Sequence, residues 1–478
     1  MQFSIVIPAF NMASRLKQGL LHLAQLPVPA DCALEVIVVD DGSSDLTAEV
    51  LREARAGMPH LRHIYRGRDA LSCRSRARNL GLDACQGDFV IFIDAGVLVT
   101  SNFLQATLDA LTGADSVLVY QTLGLYAGFA GHDESRHAEL TGPAVDAVCL
   151  SVGREEAWQD VRTPYFDAVG GRLSAWPAPW LFAWTCALGV RKDAARAVGG
   201  FDDAFIDWGA EDIEFAGRLH RAGASFLAVS EACALHLPHR TASVAEMHRQ
   251  HVANSRKMHA RLRCRESEAY LRTQDAFSVN QICHRLDALD GRMLVPRWSE
   301  KGWAACRELI AAHEAVLCLG FADLAEVTAP GPGVVLAHNR SSQARFARQC
   351  PRSEVRCALG MHTLDAPGTY DAVLIGDMIR LLPSEWRTAI FAEAARVGAS
   401  SHLLLGKRPA RSLHVEACGF QWAAASELIA DAQRAGLGVH SERNSAGLSL
   451  FELRAEGACA SAREAAPVAP NADGEAAE

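Results

Sequence analysis

Short apolar runs alternate with amphipathic stretches in the first half of the chain. The apolar runs are almost wholly hydrophobic, as expected of strands buried on both faces of a parallel sheet, and they are Phe3–Pro8, Leu34–Val39 and Phe89–Ile93. Helical periodicity follows the first run from about Ala13 to Leu26, and another helix follows Asp45. Strands that alternate with helices in this way predict an α/β domain with a doubly wound sheet.

A second series of apolar runs predicts a separate Rossmann-like α/β domain over residues 306–454. Its runs lie at 315–320, 333–337, 370–377 and 401–406, with a predicted helix from Pro383 to Val397. Between the two domains, helical and basic periodicity from about Ser243 to Arg272 predicts a helical bridge within residues 241–305. Residues 455–478 are rich in Ala, Glu and Pro without periodicity, and we expect them to be disordered.

Composition and charge narrow the class of ligand. The 478 residues carry a net charge of -9, so the chain lacks the excess of Lys and Arg that nucleic acid requires, and no nucleic-acid partner is expected. Small molecules or glycans are the expected ligands. The N-terminus shows no secretion signal and no apolar run reaches the length of a membrane helix. We therefore expect a cytoplasmic protein, with peripheral contact at the inner membrane face possible through the basic helix.

Polar side chains follow each of the three strands of the first domain. Asn11 follows the first strand, Asp40 and Asp41 follow the second, and Asp94 follows the third. In a doubly wound sheet the carboxyl ends of the strands form the ligand edge. Carboxylates there can accept from a nucleobase N–H and ribose hydroxyls, or bind a divalent cation that bridges a diphosphate. Arg78, in the nearby basic segment, can add a phosphate contact.

The segment from Gly199 to Leu219 combines a glycine turn, an aromatic loop and the start of a helix. Glu211 and Asp212 are expected in the first helical turn, where free N–H groups and the helix dipole favour a carboxylate. Apolar residues at helical spacing then bury one face of the helix. This is a suitable mount for a general base, although the same acids can serve only to cap the helix.

Four motifs in order resemble one enzyme family. They are Val-Ile-Val-Val-Asp-Asp-Gly-Ser-Ser-Asp at 36–45, Ala-Arg-Asn-Leu-Gly at 77–81, Gly-Asp-Phe-Val-Ile-Phe-Ile-Asp at 87–94 and Trp-Gly-Ala-Glu-Asp at 208–212. Together they resemble the inverting family-2 glycosyltransferases of the GT-A fold, over about residues 1–240. The last motif is similar to the chondroitin-polymerase and β-1,4-galactosyltransferase type.

This resemblance implies a UDP-sugar donor and a set of donor-binding residues. Pro8 and Asn11 would lie at the nucleotide edge, and Asp41 would hydrogen-bond the uracil ring. Asp94 would hold the first position of the family's D-x-D motif, near the ribose and the metal. Trp208, in the loop that helps to form the acceptor site, would stack on a sugar or cover the donor.

The resemblance also implies the chemistry. Asp212 would be the general base that deprotonates the acceptor hydroxyl, and Glu211 beside it would orient that hydroxyl. The anomeric carbon would be attacked in line and inverted, with UDP as the leaving group. The acceptor would be a glycan, a lipid-linked sugar or another hydroxyl compound.

The chain departs from the family at the metal-binding motif. Gly96 stands where the last Asp of D-x-D usually binds Mn²⁺ or Mg²⁺. Related enzymes place a histidine on the metal after the last strand of the domain, and His236 fits that position better than His239. Imidazole suits Mn²⁺ better than Mg²⁺. Without a metal, Arg side chains or helix N–H groups must neutralise the diphosphate.

The second domain is similar to the later half of class I methyltransferases at 370–382 and 392–397. The loop after its first strand, Leu319–Asp323, holds a single glycine, Gly320, and is not the glycine-rich loop that brings a backbone close to a cofactor. We therefore expect a structural or acceptor-binding module that takes no S-adenosylmethionine. Two alternatives stay open: a bifunctional glycosyltransferase and methyltransferase, and, because of Gly96, a non-catalytic nucleotide- or glycan-binding relative.

Overall fold

The structure is a computed structural model that describes residues 1–111, 116–125, 140–237, 243–289, 298–325, 333–406, 419–445 and 448–455. It divides into two compact units, Met1–His284 and Arg285–Glu478, and each is described by itself. The tail expected to be disordered lies outside the described residues, apart from Ala455 at the end of the last strand.

The first unit is built on eight described strands and the helices around them. The strands are β1 (Gln2–Ala9), β2 (Ala33–Asp40), β3 (Leu61–Tyr65), β4 (Phe89–Ile93), β5 (Val97–Val99), β6 (Ser116–Leu123), β7 (Ala187–Arg191) and β8 (Ser225–His236). The helices are α1 (Ala13–Leu23), α2 (Thr47–Gly57), α3 (Arg74–Ala84), α4 (Phe103–Ala110), α5 (Pro143–Val152), α6 (Thr163–Asp167), α7 (Lys192–Ala197), α8 (Glu211–Arg221), α9 (Val244–Leu262), α10 (Arg265–Thr273) and α11 (Ala276–Ala288), the last of which crosses into the second unit.

The strands form one sheet in the order β3-β2-β1-β4-β7-β6-β8-β5. β1 pairs in parallel with both β2 and β4, so the chain reverses its direction of winding between β1 and β4. The carboxyl ends of β1, β2 and β4 therefore meet at one edge, at the switch point where doubly wound sheets bind ligands. β7 pairs with β4 and β6 in antiparallel orientation, which the pattern of apolar runs did not predict.

Each face of the sheet buries apolar side chains beneath helices. On one face, Phe3, Ile5 and Phe89 pack with Leu16 and Leu20 of α1. On the other face, an aromatic cluster fixes the position of α8. The ring of Phe92 in β4 lies 5.0 Å from Phe201 and 6.3 Å from Phe215 of α8, and Phe201 and Phe215 stack at 4.2 Å. This cluster brings the N-terminus of α8 to the edge where the strands end.

Helix α3 lies close against β1 because Gly81 has no side chain. A Cβ at Gly81 would lie 2.3 Å from a methyl carbon of Val6. Gly81→Ala should therefore destabilise the protein by ~1–3 kcal/mol, since a packed interior resists an added methyl group. Gly57→Ala is the matched control, because nothing lies within 4 Å of the new Cβ. Thermal melting of the two variants tests this, and equal melting temperatures would contradict it.

The second unit contains the predicted second α/β sheet. Its strands are β9 (Val316–Leu319), β10 (Val334–Ala337), β11 (Glu354–Cys357), β12 (Tyr370–Ile375), β13 (Gly398–Gly406), β14 (Leu437–Ser445) and β15 (Leu448–Ala455), and its helices are α12 (Glu300–Ala311), α13 (Arg340–Gln349), α14 (Ser384–Val397) and α15 (Ala425–Arg434). The order is β11-β10-β9-β12-β13-β15-β14, in which the first five strands are parallel and doubly wound. The antiparallel pair β14 and β15 was not predicted.

The basic helical segment after the first domain forms two helices rather than one. α9 ends where Arg263 adopts a left-handed conformation with φ of 44°, and α10 begins two residues later. Arg rarely ends a helix in this way, so the sequence offered no stop signal there. Both helices lie in the first unit. Within the part of the chain that the structure describes, no helix combines the length and the apolar composition that crossing a bilayer requires.

Candidate active site

Two consecutive left-handed residues turn the chain from the aromatic loop into α8. Gly209 has a φ of 96° and Ala210 a φ of 66°. A non-glycine residue in this conformation costs about 1 kcal/mol or more, so surrounding contacts must hold Ala210 in place. The turn puts Glu211 and Asp212 in the first turn of α8, as the sequence predicted.

Arg78 of α3 joins two of the predicted site carboxylates. Its Nη1 donates to Glu211 Oε1 at 3.0 Å, and its Nη2 donates to Asp94 Oδ1 at 3.1 Å. The Arg78 side chain is only 1% exposed. Burial lowers the pKa of its guanidinium, but the charges of Asp94, Glu211 and Asp212 outweigh burial and leave that pKa raised. The arginine predicted to contact phosphate thus bridges the end of β4 and the start of α8.

Asp212 has the electrostatic environment of a proton acceptor near neutral pH. Burial and the charge of Glu211 raise the pKa of Asp212 to about 7, against the opposing charge of Arg78. The backbone N–H of Thr185 donates to Asp212 Oδ2 at 3.2 Å, and that of Ile213 donates to Oδ1 at 2.8 Å. A carboxylate with a pKa near the working pH can take a proton from a bound hydroxyl and release it again.

The two carboxylate oxygens of Glu211 differ in their hydrogen bonding. Its Oε1 accepts from Arg78, whereas its Oε2 is buried without a hydrogen-bond partner among the described residues. A buried acceptor that lacks a partner costs free energy, and a donor hydroxyl supplied by a ligand would offset that cost.

Asp41, at the end of β2, is held by two arginines that the sequence analysis did not single out. Arg66 Nη1 donates to Asp41 Oδ1 at 2.9 Å, and Arg68 Nη1 donates to Oδ2 at 3.2 Å. The Arg68 guanidinium also lies 3.6 Å above the ring of Phe10. Both arginines precede the basic segment that drew attention to Arg78. No periodicity marks them, because they lie in the connection after β3.

Asn11 ties the ends of β1 and β2 together. It adopts a left-handed conformation with φ of 51°, donates from its backbone N–H to Ser43 Oγ at 2.9 Å, and accepts from the Ser44 N–H at 2.8 Å. Pro8 lies within β1, opposite Val39 in the register. Asn11 and Pro8 thus shape the edge near Asp41.

The two residues predicted to bind a metal lie at neighbouring strand ends. The turn Asp94–Ala95–Gly96 leads directly into β5, where Val97 pairs with His236 of β8. Asp94 is about one-third exposed, and His236 is partly buried. Within the described ranges, no group of three or more His, Cys, Asp or Glu side chains is arranged to hold a metal ion. His239 lies outside those ranges.

Trp208 stands on the loop before α8 and is 38% exposed. Its backbone N–H donates to Gln250 Oε1 at 3.2 Å, and its ring lies 5.6 Å from the His251 ring. Gln250 and His251 belong to α9, which the sequence analysis treated only as a basic helix. Polar residues on an amphipathic helix carry no signal of the loop that they contact.

The structure thus arranges the predicted residues in groups. Arg78 unites Asp94 with Glu211, and Asp212 lies beside Glu211 on α8. Asn11 and Asp41 belong to a second group at the ends of β1 and β2, while Trp208 lies on the loop next to α9.

Two family models match the first unit. Residues 4–157 match glycosyl transferase family 2, and residues 172–240 match the N-terminal domain of galactosyltransferase. Among curated proteins, validoxylamine A glucosyltransferase of Streptomyces hygroscopicus subsp. jinggangensis is 35% identical over 242 residues, which are 49% of this chain and 55% of the relative. Chondroitin synthase of Escherichia coli is 29% identical over 246 residues, covering 49% of this chain and 34% of the relative.

The chain spans about half the length of the first two curated relatives it matches. Among solved structures, a mannosyltransferase of Pyrobaculum calidifontis in complex with GDP-Man and Mn²⁺ has a TM-score of 0.40 and 18% identity, covering 65% of this chain and 79% of the other. The two family matches fall on the sheet and on the α8 segment described above. Over residues 4–157 and 172–240 the matches bear out the predicted GT-A fold, and both matching models describe glycosyltransferase families, the class that the sequence predicted.

Proposed function

We propose that the first unit transfers a sugar from a UDP-sugar to an acceptor hydroxyl with inversion at the anomeric carbon. One observation carries the proposal: Asp212, with a pKa raised to about 7, stands beside a Glu211–Arg78–Asp94 chain at the ligand edge of the sheet. One arginine joins Glu211, the neighbour of the base at the helix start, to Asp94 at the strand end, which fits a site that binds donor and acceptor side by side.

In this proposal the acceptor hydroxyl donates its one hydrogen bond to Asp212, and the unpartnered Oε2 of Glu211 orients the acceptor by accepting from a neighbouring hydroxyl of the same sugar. Asp212 takes the hydroxyl proton as the acceptor oxygen forms its bond to the anomeric carbon. The bond between that carbon and the diphosphate oxygen breaks at the opposite face, and its electron pair leaves with UDP. Because entry and departure are on opposite faces, the configuration inverts.

Donor recognition falls to the ends of β1 and β2. The Asp41 carboxylate can accept from the uracil N–H once a nucleotide replaces one of its two arginine contacts, which the partly exposed Arg68 can release at lower cost than the more buried Arg66. The Streptomyces relative is named a glucosyltransferase, which supports a hexosyl donor here.

The side chains near the Asp94 turn supply only part of the coordination that a divalent cation needs. Asp94 and His236 would supply one carboxylate and one imidazole, a pair that Mn²⁺ accepts. The diphosphate and water would complete the coordination, as is common for cations bound with phosphates. A cation held there supplies charge neutralisation for the leaving diphosphate. Arg78 occupies the other side of Asp94 and fixes the orientation of its carboxylate.

Calorimetric titration of the full chain with UDP and GDP, with and without Mn²⁺, tests the donor site. We expect UDP to bind more tightly than GDP and Mn²⁺ to strengthen that binding, and His236→Ala to remove the Mn²⁺ effect. UDP binding that is indifferent to Mn²⁺ would remove the cation from the proposal. Failure of either nucleotide to bind under both conditions would favour a relative that has lost turnover.

The pH dependence of transfer follows from the raised pKa of Asp212. Only the ionised carboxylate can accept a proton, so kcat/KM should fall about tenfold for each pH unit below about 7. A profile of initial rates between pH 5 and 9 measures this limb. An acid limb near the ordinary aspartate pKa of about 4 would contradict the assignment of Asp212.

We infer that the second unit is a structural or acceptor-binding module. In place of a glycine-rich loop, β9 is followed by Gly320 and the buried Phe321, whose ring lies 6.0 Å from Trp298. Asn339, just after β10, caps α13 because its Oδ1 accepts from the Ser342 N–H. Its Nδ2 donates to the Leu286 carbonyl. The loop after β9 and the side chain just after β10 are thus engaged in contacts within the unit. Binding of S-adenosylmethionine to the full chain in calorimetry would overturn this inference in favour of a bifunctional enzyme.

A further inference from the structure

Helix α9 contacts the loop that precedes Glu211 and Asp212. We call residues 205–209 the acceptor loop. Gln250, His251, Asn254 and Lys257 contact this loop or the residue before it; apart from the adjacent pair Gln250 and His251, they lie three or four positions apart, along one face of α9. The helix therefore presents a continuous row of polar side chains to the loop.

Asn254 makes the most concentrated of these contacts. Its side chain is fully buried, and its Nδ2 donates to the backbone carbonyls of Asp207 at 3.1 Å, Trp208 at 3.4 Å and Gly209 at 2.9 Å. An amide group shared by three successive carbonyls holds the backbone in a tight curve. That curve ends in the left-handed pair Gly209 and Ala210, from which α8 begins.

His251 closes the other side of the curve. A Cβ at Gly209 would lie 2.4 Å from His251 Nδ1, so the ring rests directly on the Gly209 backbone. His251 Nε2 is hydrogen-bonded to the Tyr270 hydroxyl of α10 at 2.9 Å, and the Trp208 ring packs against the imidazole in a tilted arrangement. Burial lowers the pKa of His251 to about 4, so the ring stays neutral at the working pH.

We propose that Asn254 and His251 are positioning residues that hold the acceptor loop in register with Asp212 and Glu211, and thereby set the affinity for the acceptor hydroxyl. This rests on the proposed transferase function. Neither residue lies at the nucleotide edge around Asn11 and Asp41, so both act on the acceptor side of the reaction. Their effect passes through Trp208, Gly209 and Ala210 to the two acids of α8.

The left-handed pair before α8 holds Ala210 in an unfavourable backbone conformation. The conformation of Ala210 is unfavourable by about 1 kcal/mol or more, and the two N–H groups of the buried Asn254 amide, shared among three carbonyls, are enough to offset it. Without them the loop relaxes, and the first turn of α8 moves with it. A displacement of about 1 Å at a reacting group can cost about 100-fold in rate.

Asn254→Asp provides the test, because it keeps the shape but faces three carbonyls with a carboxylate. Tyr270→Phe is a milder second variant that removes only the hydroxyl bonded to His251 and carries the test if Asn254→Asp does not fold. Arg256→Ala, on the exposed side of α9, is the matched control. Hydrogen exchange measured by mass spectrometry follows the backbone of residues 205–212, and this readout needs no ligand.

The functional readouts are the acceptor KM of sugar transfer and the affinity for UDP. UDP-glucose is the donor, UDP release without acceptor measures hydrolysis, and p-nitrophenyl glycosides serve as acceptor probes. We expect faster exchange confined to 205–212, a rise of about tenfold or more in acceptor KM, and UDP affinity within about twofold of the parent. The control should match the parent in all three.

Each other outcome decides against the proposal. Unchanged exchange in 205–212 would show that α9 does not hold the loop. Faster exchange with an unchanged acceptor KM would show that the loop does not govern acceptor binding, and faster exchange throughout the first unit would indicate a general structural role. Absence of UDP binding and hydrolysis in the parent chain would instead overturn the proposed function, while the exchange result would still report on the contacts of α9.

Discussion

Asp212→Asn should lower the rate of sugar transfer about 1000-fold and leave UDP affinity within about twofold of the parent. The amide has the shape of the carboxylate but cannot take the hydroxyl proton, and general-base catalysis contributes about 100- to 10,000-fold. Initial rates under saturating donor, together with UDP titration, measure the two quantities.

Asp193→Asn is the matched control, because Asp193 is an exposed carboxylate in the first turn of another helix, α7. It should retain nearly full activity. Equal activity of the two variants would remove Asp212 from the mechanism, whereas loss of UDP binding in Asp212→Asn would point to a damaged site rather than a missing base.

Asp212→Asn should also be more stable than the parent at alkaline pH. A carboxyl whose folded-state pKa is raised stabilises the fold below the unfolded pKa of about 4, and this contribution is lost as the pH rises through about 7. Asparagine is uncharged throughout this pH range, so Asp212→Asn does not lose this contribution as the pH rises. The excess in melting temperature of Asp212→Asn over the parent should therefore be larger at pH 8 than at pH 5.

Arg78→Met should destabilise the first unit by ~3–5 kcal/mol and abolish transfer. The substitution removes the cation that both Glu211 and Asp94 contact, and it leaves at least the buried Glu211 without a counter-charge. Breaking one side of a buried ion pair typically costs this amount. Scanning calorimetry of the full chain measures the loss as a lower melting temperature.

Arg76→Met offers a matched control on the same helix. Arg76 pairs with Asp203, but both side chains are substantially exposed, so its removal should cost less than about 1 kcal/mol. Similar melting temperatures for the two variants would mean that the Arg78 bridge does not hold the start of α8 to the end of β4.

Much of the site follows from local patterns. Continuous apolar runs predicted β1, β2 and β4, because strands buried on both faces leave few polar positions. The order of strands and helices then predicted that Asn11, Asp41 and Asp94 share one edge, as the parallel pairing of β1 with β2 and β4 bears out. First-turn acids predicted the start of α8 at Glu211.

Sequence alone identifies the residues at strand ends and helix starts, because burial leaves a periodic pattern of apolar positions along the chain. The partners of those residues depend on how distant segments pack. Arg78 meets Glu211 across 133 positions, and Asn254 meets Gly209 across 45. Periodicity reports that a helix face is covered but not which segment covers it. Which segment covers a face depends on close contacts such as Gly81 against Val6. This contact fixes the position of α3, and so lets Arg78 reach Glu211 and Asp94.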